Sequence, residues 1–195
     1  MPEMSPHGRA LISSGPYRMF TRWVVLPWAL QGLSPRGQAL EIGSGSGAMA
    51  AQLLRKFPDL RLVATDYDDH MVETARQTLA RFGARAEVQQ VDAAAVPFTE
   101  GAFDLVLSFA MLHHVGDWQA ALAEASRVLR PGGRLVGYDL AHRMPSHHAH
   151  HDGRDRVPVT EPGQLEATLK RLPLADVRVR RSAGGFALRF VATKG

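Results

Sequence analysis

Three glycines lie between an apolar run and a helical stretch, and this turn constrains the fold more than any other feature of the sequence. Residues 38–42 predict a buried strand, and Gly43, Gly45 and Gly47 follow it directly. Residues 47–57 then predict a helix. A glycine-rich turn between a strand and a helix brings backbone N–H groups close to an anionic ligand group, and the helix N-terminus adds a favourable dipole. The turn therefore predicts a ligand site at the end of the first strand.

Short β-like runs alternate with helical stretches as far as residue 140, which indicates βαβ units and a mostly parallel sheet. Pro131-Gly132-Gly133 is predicted to end the third helix and to precede the fifth strand. The predicted fold class is therefore α/β. Strands are predicted over residues 38–42, 61–65, 86–91, 103–109 and 134–140, and helices over 47–57, 68–81 and 118–129.

The remaining residues follow a different pattern. A predicted helix over 161–171 precedes two strand-like runs, 177–181 and 186–192, and Ser182-Ala183-Gly184-Gly185 between them is a hairpin turn signal. The sheet is thus predicted to hold seven strands and to end in an antiparallel hairpin. Residues 141–160 have no periodicity and carry five of the nine histidines, so we expect a surface loop there.

Composition restricts the class of protein. A chain of 195 residues predicts one domain, and the absence of cysteine excludes disulfides, thiolate metal ligands and a cysteine nucleophile. We find neither a secretory signal nor an apolar run of the ~20 residues that span a bilayer. The expected protein is soluble and cytoplasmic, without a membrane partner.

Positive charge is concentrated in the C-terminal part. The formal net charge is +4, and from residue 143 onward ten Lys and Arg face five Asp and Glu. Charged side chains on an edge strand block pairing between sheets, which is one interpretation. A basic surface that contacts RNA is the other.

The segments around the glycine turn resemble class I S-adenosylmethionine-dependent methyltransferases, in particular their small-molecule "type 11" branch. Leu40-Glu41-Ile42-Gly43-Ser44-Gly45-Ser46-Gly47 is similar to the first motif of that family. The glycine spacing departs from the G-x-G-x-x-G of dinucleotide-binding proteins, which disfavours an NAD-dependent dehydrogenase. The resemblance implies a Rossmann-like doubly wound sheet with helices on both faces. Further matches follow in order at residues 63–75, 91–93, 97–98, 103–106, 112–114 and 129–135.

The resemblance also implies roles for individual residues in binding S-adenosylmethionine, with S-adenosylhomocysteine as the product. The turn would hold the methionine moiety, and Glu41 would orient the turn. Asp66 would accept hydrogen bonds from the ribose hydroxyls, and Asp92 from the adenine amino group.

Apolar contact to the purine would come from Tyr67, Met71 and Ala93. A backbone carbonyl for the ligand ammonium would come from Ser108 or Phe109. The full predicted cofactor set is Glu41, Gly43, Ser44, Gly45, Gly47, Asp66, Tyr67, Met71, Asp92, Ala93, Ser108 and Phe109.

Three of these residues have a structural alternative. Asp66 is also placed to cap the helix that follows it. Asp92 is also typical of a turn. Met71 lies on a helix face that builds the core.

No catalytic residue is specified, since methyl transfer from a sulfonium mainly requires positioning and desolvation. His113 and His114, just beyond the fourth strand, are candidates for a base or an orienting group, and a structural role is the alternative. We predict no metal site. Imidazoles at the spacing found in the loop can bind a transition metal, but an unstructured loop typically does so adventitiously. That cluster comprises His142, His147, His148, His150 and His151.

The predicted organisation is one methyltransferase domain over residues 1–195. It comprises an N-terminal helical cap (1–37), a cofactor-binding core (38–140), a His-rich loop (141–160) and a C-terminal helix and hairpin (161–195). Ser108-Phe109-Ala110-Met111 replaces the Asn/Asp-Pro-Pro-Tyr/Phe segment of many enzymes that methylate amino groups of nucleic acid or protein, which favours a small-molecule acceptor. Two alternatives stay open: a cofactor-binding protein without turnover, and an RNA methyltransferase that uses the basic tail. The acceptor and the oligomeric state are not specified by the sequence.

The N-terminal region carries aromatic residues that suit either a helix over the pocket with acceptor contacts or the core. They are Tyr17, Phe20, Trp23 and Trp28, with Arg18 among them.

Overall fold

One seven-stranded sheet organises the molecule in the computed structural model, which describes residues 24–141, 161–182, 184–185 and 187–195. Most of the predicted N-terminal cap and almost all of the His-rich loop lie outside the described residues, as do Ala183 and Phe186. The strands are β1 (Gly37–Ile42), β2 (Leu60–Asp66), β3 (Ala86–Gln90), β4 (Phe103–Phe109), β5 (Leu129–Leu140), β6 (Leu174–Arg181) and β7 (Ala187–Lys194).

Five α-helices connect or flank these strands in the described residues, together with short 3₁₀ helices at Ala80–Arg85 and Leu112–His114. No helix among the described residues is long and apolar enough to cross a membrane. The α-helices are α1 (Leu26–Leu30), α2 (Ala48–Lys56), α3 (Asp69–Leu79), α4 (Trp118–Val128) and α5 (Pro162–Arg171).

The strand order is β3-β2-β1-β4-β5-β7-β6. Pairing is parallel from β3 through β5, and β7 runs antiparallel to both β5 and β6. The predicted α/β class and the mostly parallel sheet with a C-terminal antiparallel hairpin are therefore confirmed. Strand order reverses between β1 and β4, and ligands of such sheets bind at the carboxyl ends of the strands at this switch point.

Strand β5 begins earlier than predicted. Leu129 already pairs with Phe103, and the register then shifts before Arg134 pairs with Leu105. The Pro131-Gly132-Gly133 segment therefore forms an irregularity inside β5, where we expected it to precede the strand. Glycine in a strand commonly marks a bulge, because it tolerates the backbone angles that the extra residues require.

Helices cover both faces of the sheet, as predicted. One apolar cluster joins α1 and α2 to one face of β1, β2, β4 and β5. A second cluster joins α4 and α5 to the opposite face. Side chains of a strand alternate between the two faces, so neighbouring residues at a strand end serve different sides of the site. We call these the α1/α2 face and the α4/α5 face.

Gly137 in β5 lies where its neighbours leave no room for a side chain. A Cβ atom on Gly137 would overlap the ring of Phe190 in β7 and the carbonyl oxygen of Ser108 in β4. We expect Gly137→Ala to lower the free energy of unfolding by about 1–3 kcal/mol through overpacking. Urea denaturation measures the change.

Gly163→Ala in α5 is the matched control, because nothing lies within 4 Å of a Cβ placed there. Its free energy of unfolding should stay within about 1 kcal/mol of wild type, with a gain expected from the helix propensity of alanine. Equal losses in the two variants would contradict the packing of β4, β5 and β7 around Gly137.

Candidate active site

The glycine turn after β1 has backbone angles that favour glycine. Gly43, Gly45 and Gly47 all have positive φ, at 68°, 54° and 74°. Space is restricted as well, since a Cβ on Gly43 would lie 2.6 Å from Cβ of Met111. A Cβ on Gly47 would lie 3.3 Å from Cα of Ala75 in α3. The turn is therefore packed between α3 and the segment after β4.

Strand β2 holds this turn by two hydrogen bonds. Ser44 N donates to the carbonyl oxygen of Thr65 at 2.8 Å. Gly45 N donates to Oδ2 of Asp66 at 2.7 Å. Two residues that the sequence places 21 positions apart thus meet at the carboxyl edge of the sheet.

Asp66 is largely buried, with 9% of its surface exposed. Its Oδ1 accepts a hydrogen bond from Asp68 N at 3.0 Å. Burial raises the pKa of Asp66, and the hydrogen bonds from Asp68 and Gly45 oppose that rise. The helix cap is supplied by Asp68, whose side chain accepts from the N–H groups of His70 and Met71. The capping alternative for Asp66 is therefore wrong.

Glu41 lies next to Asp66 inside the sheet and is only 1% exposed. Burial, and then the charge of Asp66, raise the pKa of Glu41 to about 8. Among the described residues, Oε2 of Glu41 has no hydrogen-bond partner, and neither do the hydroxyls of Ser44 and Ser108. Buried polar atoms are normally paired, and a ligand bound at this edge would supply partners to these three.

The segment after β3 is joined to the end of β2. Val91 N donates to the carbonyl oxygen of Asp66 at 2.9 Å, which brings Asp92 to the same edge. Oδ1 of Asp92 accepts from Ala94 N at 2.9 Å, so the residue does stabilise a local turn. Its side chain is nevertheless exposed, so carboxylate lone pairs stay available to a ligand.

The predicted purine contacts divide into exposed and buried groups. Tyr67, directly after Asp66, is 46% exposed and is one of two large exposed hydrophobic residues in the described part of the chain. Met71 and Ala93 are buried. Met71 therefore belongs to the core, as the structural alternative held. Its contact with the purine stays a prediction.

The chain turns sharply after β4. Ser108 and Phe109 end that strand, and Ala110 follows with φ of 51°, an uncommon value for a residue with a side chain. Ala110 N donates to the carbonyl oxygen of Tyr138 in β5 at 2.8 Å. The ring of Phe109 stacks on the ring of Tyr138 with 5.5 Å between centroids.

His113 forms a buried pair with Asp139. Nδ1 of His113 lies 2.5 Å from Oδ1 of Asp139, and His113 N donates to Oδ2 at 3.3 Å. Asp139 is fully buried. The ring of His114 lies 4.0 Å from the ring of His113, and burial, followed by the charge of His113, lowers the pKa of His114 to about 4. His114 is therefore neutral near pH 7.

Asp139 was not among the predicted site residues. It lies 26 positions from His113, and nothing in the local pattern pairs the two. One signal was present: an acidic residue near the end of an otherwise apolar, buried strand needs a partner.

No group of three or more His, Cys, Asp or Glu suited to a metal ion is found among the described residues. The five clustered histidines of the predicted loop lie outside them. The prediction for that loop therefore stays a prediction.

Comparison with known proteins identifies the family to which the chain belongs. The model of the family described as "Methyltransferase domain" matches residues 40–137. A ubiquinone/menaquinone biosynthesis C-methyltransferase from Desulfotalea psychrophila is 35% identical over 118 residues, which cover 60% of this chain and 47% of that protein. A demethylmenaquinone methyltransferase from Thermus thermophilus is 36% identical over 97 residues, which cover 50% of this chain and 44% of that protein. The chain thus spans about half the length of the curated relatives it matches.

A solved structure, described as a SAM-dependent methyltransferase from Aquifex aeolicus, has the same fold. The TM-score is 0.76, and the superposition covers 99% of this chain and 100% of the other at 19% identity.

The raised pKa of Glu41 predicts a pH-dependent stability. Glu41 is neutral in the folded state up to about pH 8 and ionises near 4.5 when unfolded. The contribution of the neutral Glu41 side chain to the free energy of unfolding is complete below about pH 4.5 and is lost as pH rises through about 8. The free energy of unfolding should therefore fall over this range by roughly a few kcal/mol, at about 1.4 kcal/mol per pKa unit.

Glu41→Gln cannot ionise and should flatten this dependence in urea denaturation from pH 5 to 9. Glu73→Gln on the exposed side of α3 is the control and should keep the wild-type slope, since 58% of that side chain is exposed. A Glu41→Gln protein with the wild-type slope would show that Glu41 is already ionised in the fold.

Proposed function

Because the chain belongs to the methyltransferase domain family, whose model matches residues 40–137, we propose that it transfers a methyl group from S-adenosylmethionine to a small-molecule acceptor. The prediction that the chain belongs to the S-adenosylmethionine-dependent methyltransferases is confirmed by its family. The acceptor and the complete reaction are part of the proposal.

The unpaired buried atoms of Glu41, Ser44 and Ser108 carry this proposal. They lie at the carboxyl ends of β1 and β4, next to a turn whose glycines permit close backbone approach. A ligand with an ammonium group and a carboxylate would supply donors and acceptors to such atoms. The amino-acid end of S-adenosylmethionine has both groups, so these residues fit it.

Asp66 and Tyr67 fit the nucleoside end. A carboxylate accepts hydrogen bonds from two adjacent hydroxyls, so Asp66 would hold the ribose. Tyr67 would offer its exposed ring to the purine, because flat aromatic groups stack favourably. Asp92, at the same edge, would accept from the adenine amino group.

Bound S-adenosylmethionine would supply an electrophilic methyl group on a sulfonium. The chain itself has to position the acceptor, exclude water and, for an acceptor that must lose a proton, provide a base. His113 suits the last task. With Nδ1–H donated to the carboxylate of Asp139, Nε2 is left as the acceptor of a proton from the substrate.

The named functions of the relatives support a small molecule whose accepting atom is carbon. One is a C-methyltransferase of ubiquinone and menaquinone biosynthesis, and another acts on demethylmenaquinone by name. Methylation at carbon generally requires removal of a proton, which agrees with a histidine base beside a buried carboxylate. Methylation of RNA through the basic tail has no comparable support.

The organisation of residues 1–195 as one methyltransferase domain and the cytoplasmic location stay predictions. A cofactor-binding protein without turnover is the remaining alternative, and a turnover assay separates it from an enzyme.

Asp66→Asn tests the role of this carboxylate in cofactor binding, both through the proposed ribose contact and through the hydrogen bond that holds Gly45. The variant keeps one acceptor oxygen, but loses the charge and half of the acceptor capacity. We expect its affinity for S-adenosylhomocysteine to fall about tenfold or more, equivalent to about 1.4 kcal/mol. Isothermal titration calorimetry measures the change.

Asp69→Asn is the matched control. Asp69 is exposed at the start of α3, and its substitution removes the same charge at a nearby position. Its affinity should stay within about twofold of wild type. Equal losses in both variants would mean that overall charge, and not contact with the ribose, determines binding.

His113→Gln tests the base in a turnover assay with quinone-type phenolic acceptors. A general base typically contributes about 10²–10⁴ in rate, so turnover should fall about 100-fold or more while the affinity for S-adenosylhomocysteine is retained. His114→Gln should have a clearly smaller effect, because His114 does not contact Asp139 directly. A larger loss in His114→Gln than in His113→Gln would reverse the assignment.

A further inference from the structure

Arginines from β6 and β7 lie on the α1/α2 face of the sheet, where Arg189 contacts Trp28. Arg189 in β7 pairs in register with Arg180 in β6. Arg178, two residues before Arg180, lies on the same face because side chains of a strand alternate. Arg180 lies one residue from the end of β6, and Arg189 is the third residue of β7. This pair is therefore at the sheet edge where β1 to β5 have their carboxyl ends.

Arg189 is buried without a carboxylate partner among the described residues. It is 4% exposed, its Nη1 donates to the carbonyl oxygen of Trp28 at 3.1 Å, and its guanidinium lies over the Trp28 ring at 5.7 Å. Burial lowers the pKa of Arg189, and the charge of Arg180 lowers it further. Like charges directly opposite each other destabilise a sheet, so this arrangement carries a cost that an anion would relieve.

Aromatic side chains connect the two arginines to the end of β4, beside the proposed S-adenosylmethionine site. Arg189 is also in register with Tyr138 of β5. The ring of Tyr138 contacts that of Trp28, with 5.9 Å between centroids, and stacks on Phe109 at the end of β4. A ligand over this edge would therefore lie between Phe109, beside the proposed cofactor, and the two arginines.

We propose that Arg189 and Arg180 bind an anionic group, a carboxylate or a phosphate, on the methyl acceptor. This assignment rests on the proposed function and narrows its substrate class to anionic molecules. Arginine suits the task because its planar fork forms paired hydrogen bonds with both kinds of oxyanion. A buried arginine and an exposed one would hold the anion at the boundary between the core and solvent.

Binding of small probes to the complex with S-adenosylhomocysteine tests the assignment. Benzoate, phenyl phosphate and phenol share a ring and differ in charge. In isothermal titration calorimetry we expect saturable binding of benzoate or phenyl phosphate, whichever carries the preferred oxyanion, and binding of phenol that is weaker by about tenfold or more. Arg180→Gln should weaken that binding at least fivefold.

Arg181→Gln is the matched control. Arg181 is the next residue of the same strand, is exposed, and lies on the opposite face. Its dissociation constant for the anion should stay within twofold of wild type. Without any probe, Arg180→Gln should melt at a higher temperature than wild type, because the like-charge pair is gone, whereas Arg181→Gln should not.

The outcomes separate the two proposals. Anion binding that is equal in all three proteins, or absent while S-adenosylhomocysteine binds, overturns the anion site and leaves the proposed function standing. Failure of wild type to bind S-adenosylhomocysteine overturns the proposed function itself. Retention of an RNA oligonucleotide that both variants weaken equally would identify a nucleic-acid surface and also overturn the anion site.

Discussion

The hydrogen bond from Gly45 N to the carboxylate of Asp66 ties the glycine turn to the end of β2, and the geometry of the site depends on it. A turn of this composition has little conformational preference of its own, because glycine permits many backbone angles. Asp66 Oδ2 and the carbonyl oxygen of Thr65 restrict it from one side. Met111, packed against Gly43, restricts it from the other. Protein contacts on two sides therefore hold the shape of the loop.

Alternation along the strand ends distributes the chemistry between the two faces. Tyr138 faces α1 and contacts Trp28 and Phe109, while Asp139, the next residue, holds His113 on the α4/α5 face. A molecule lying across the carboxyl edge would thus meet aromatic rings and arginine on one side and a histidine on the other. Both environments arise from consecutive residues of one strand.

Local patterns were sufficient to predict much of this structure. Buried runs, glycine and proline positions and helical spacing predicted the sheet, and the motif around Gly43 predicted the family. Pairings between distant residues were not predictable in the same way. Asp139 depends on a contact with His113, and the burial of Arg189 depends on α1, 161 positions away. The bulge in β5 escaped prediction because glycine and proline signal a break equally well inside a strand and before one.

Strand β7 lies inside the sheet, between β5 and β6, although it follows β6 in the chain. Leu188 and Phe190 of β7 are fully buried, and in the described part of the chain β6 pairs with β7 alone. β6 and β7 are neighbours in the chain and can pair locally as a hairpin, but β6 is joined to the parallel strands only through β7. Without β7 on it, the open side of β5 would expose unpaired backbone, which is the kind of edge at which partly folded chains associate. The second strand of the hairpin therefore protects the edge of the parallel sheet.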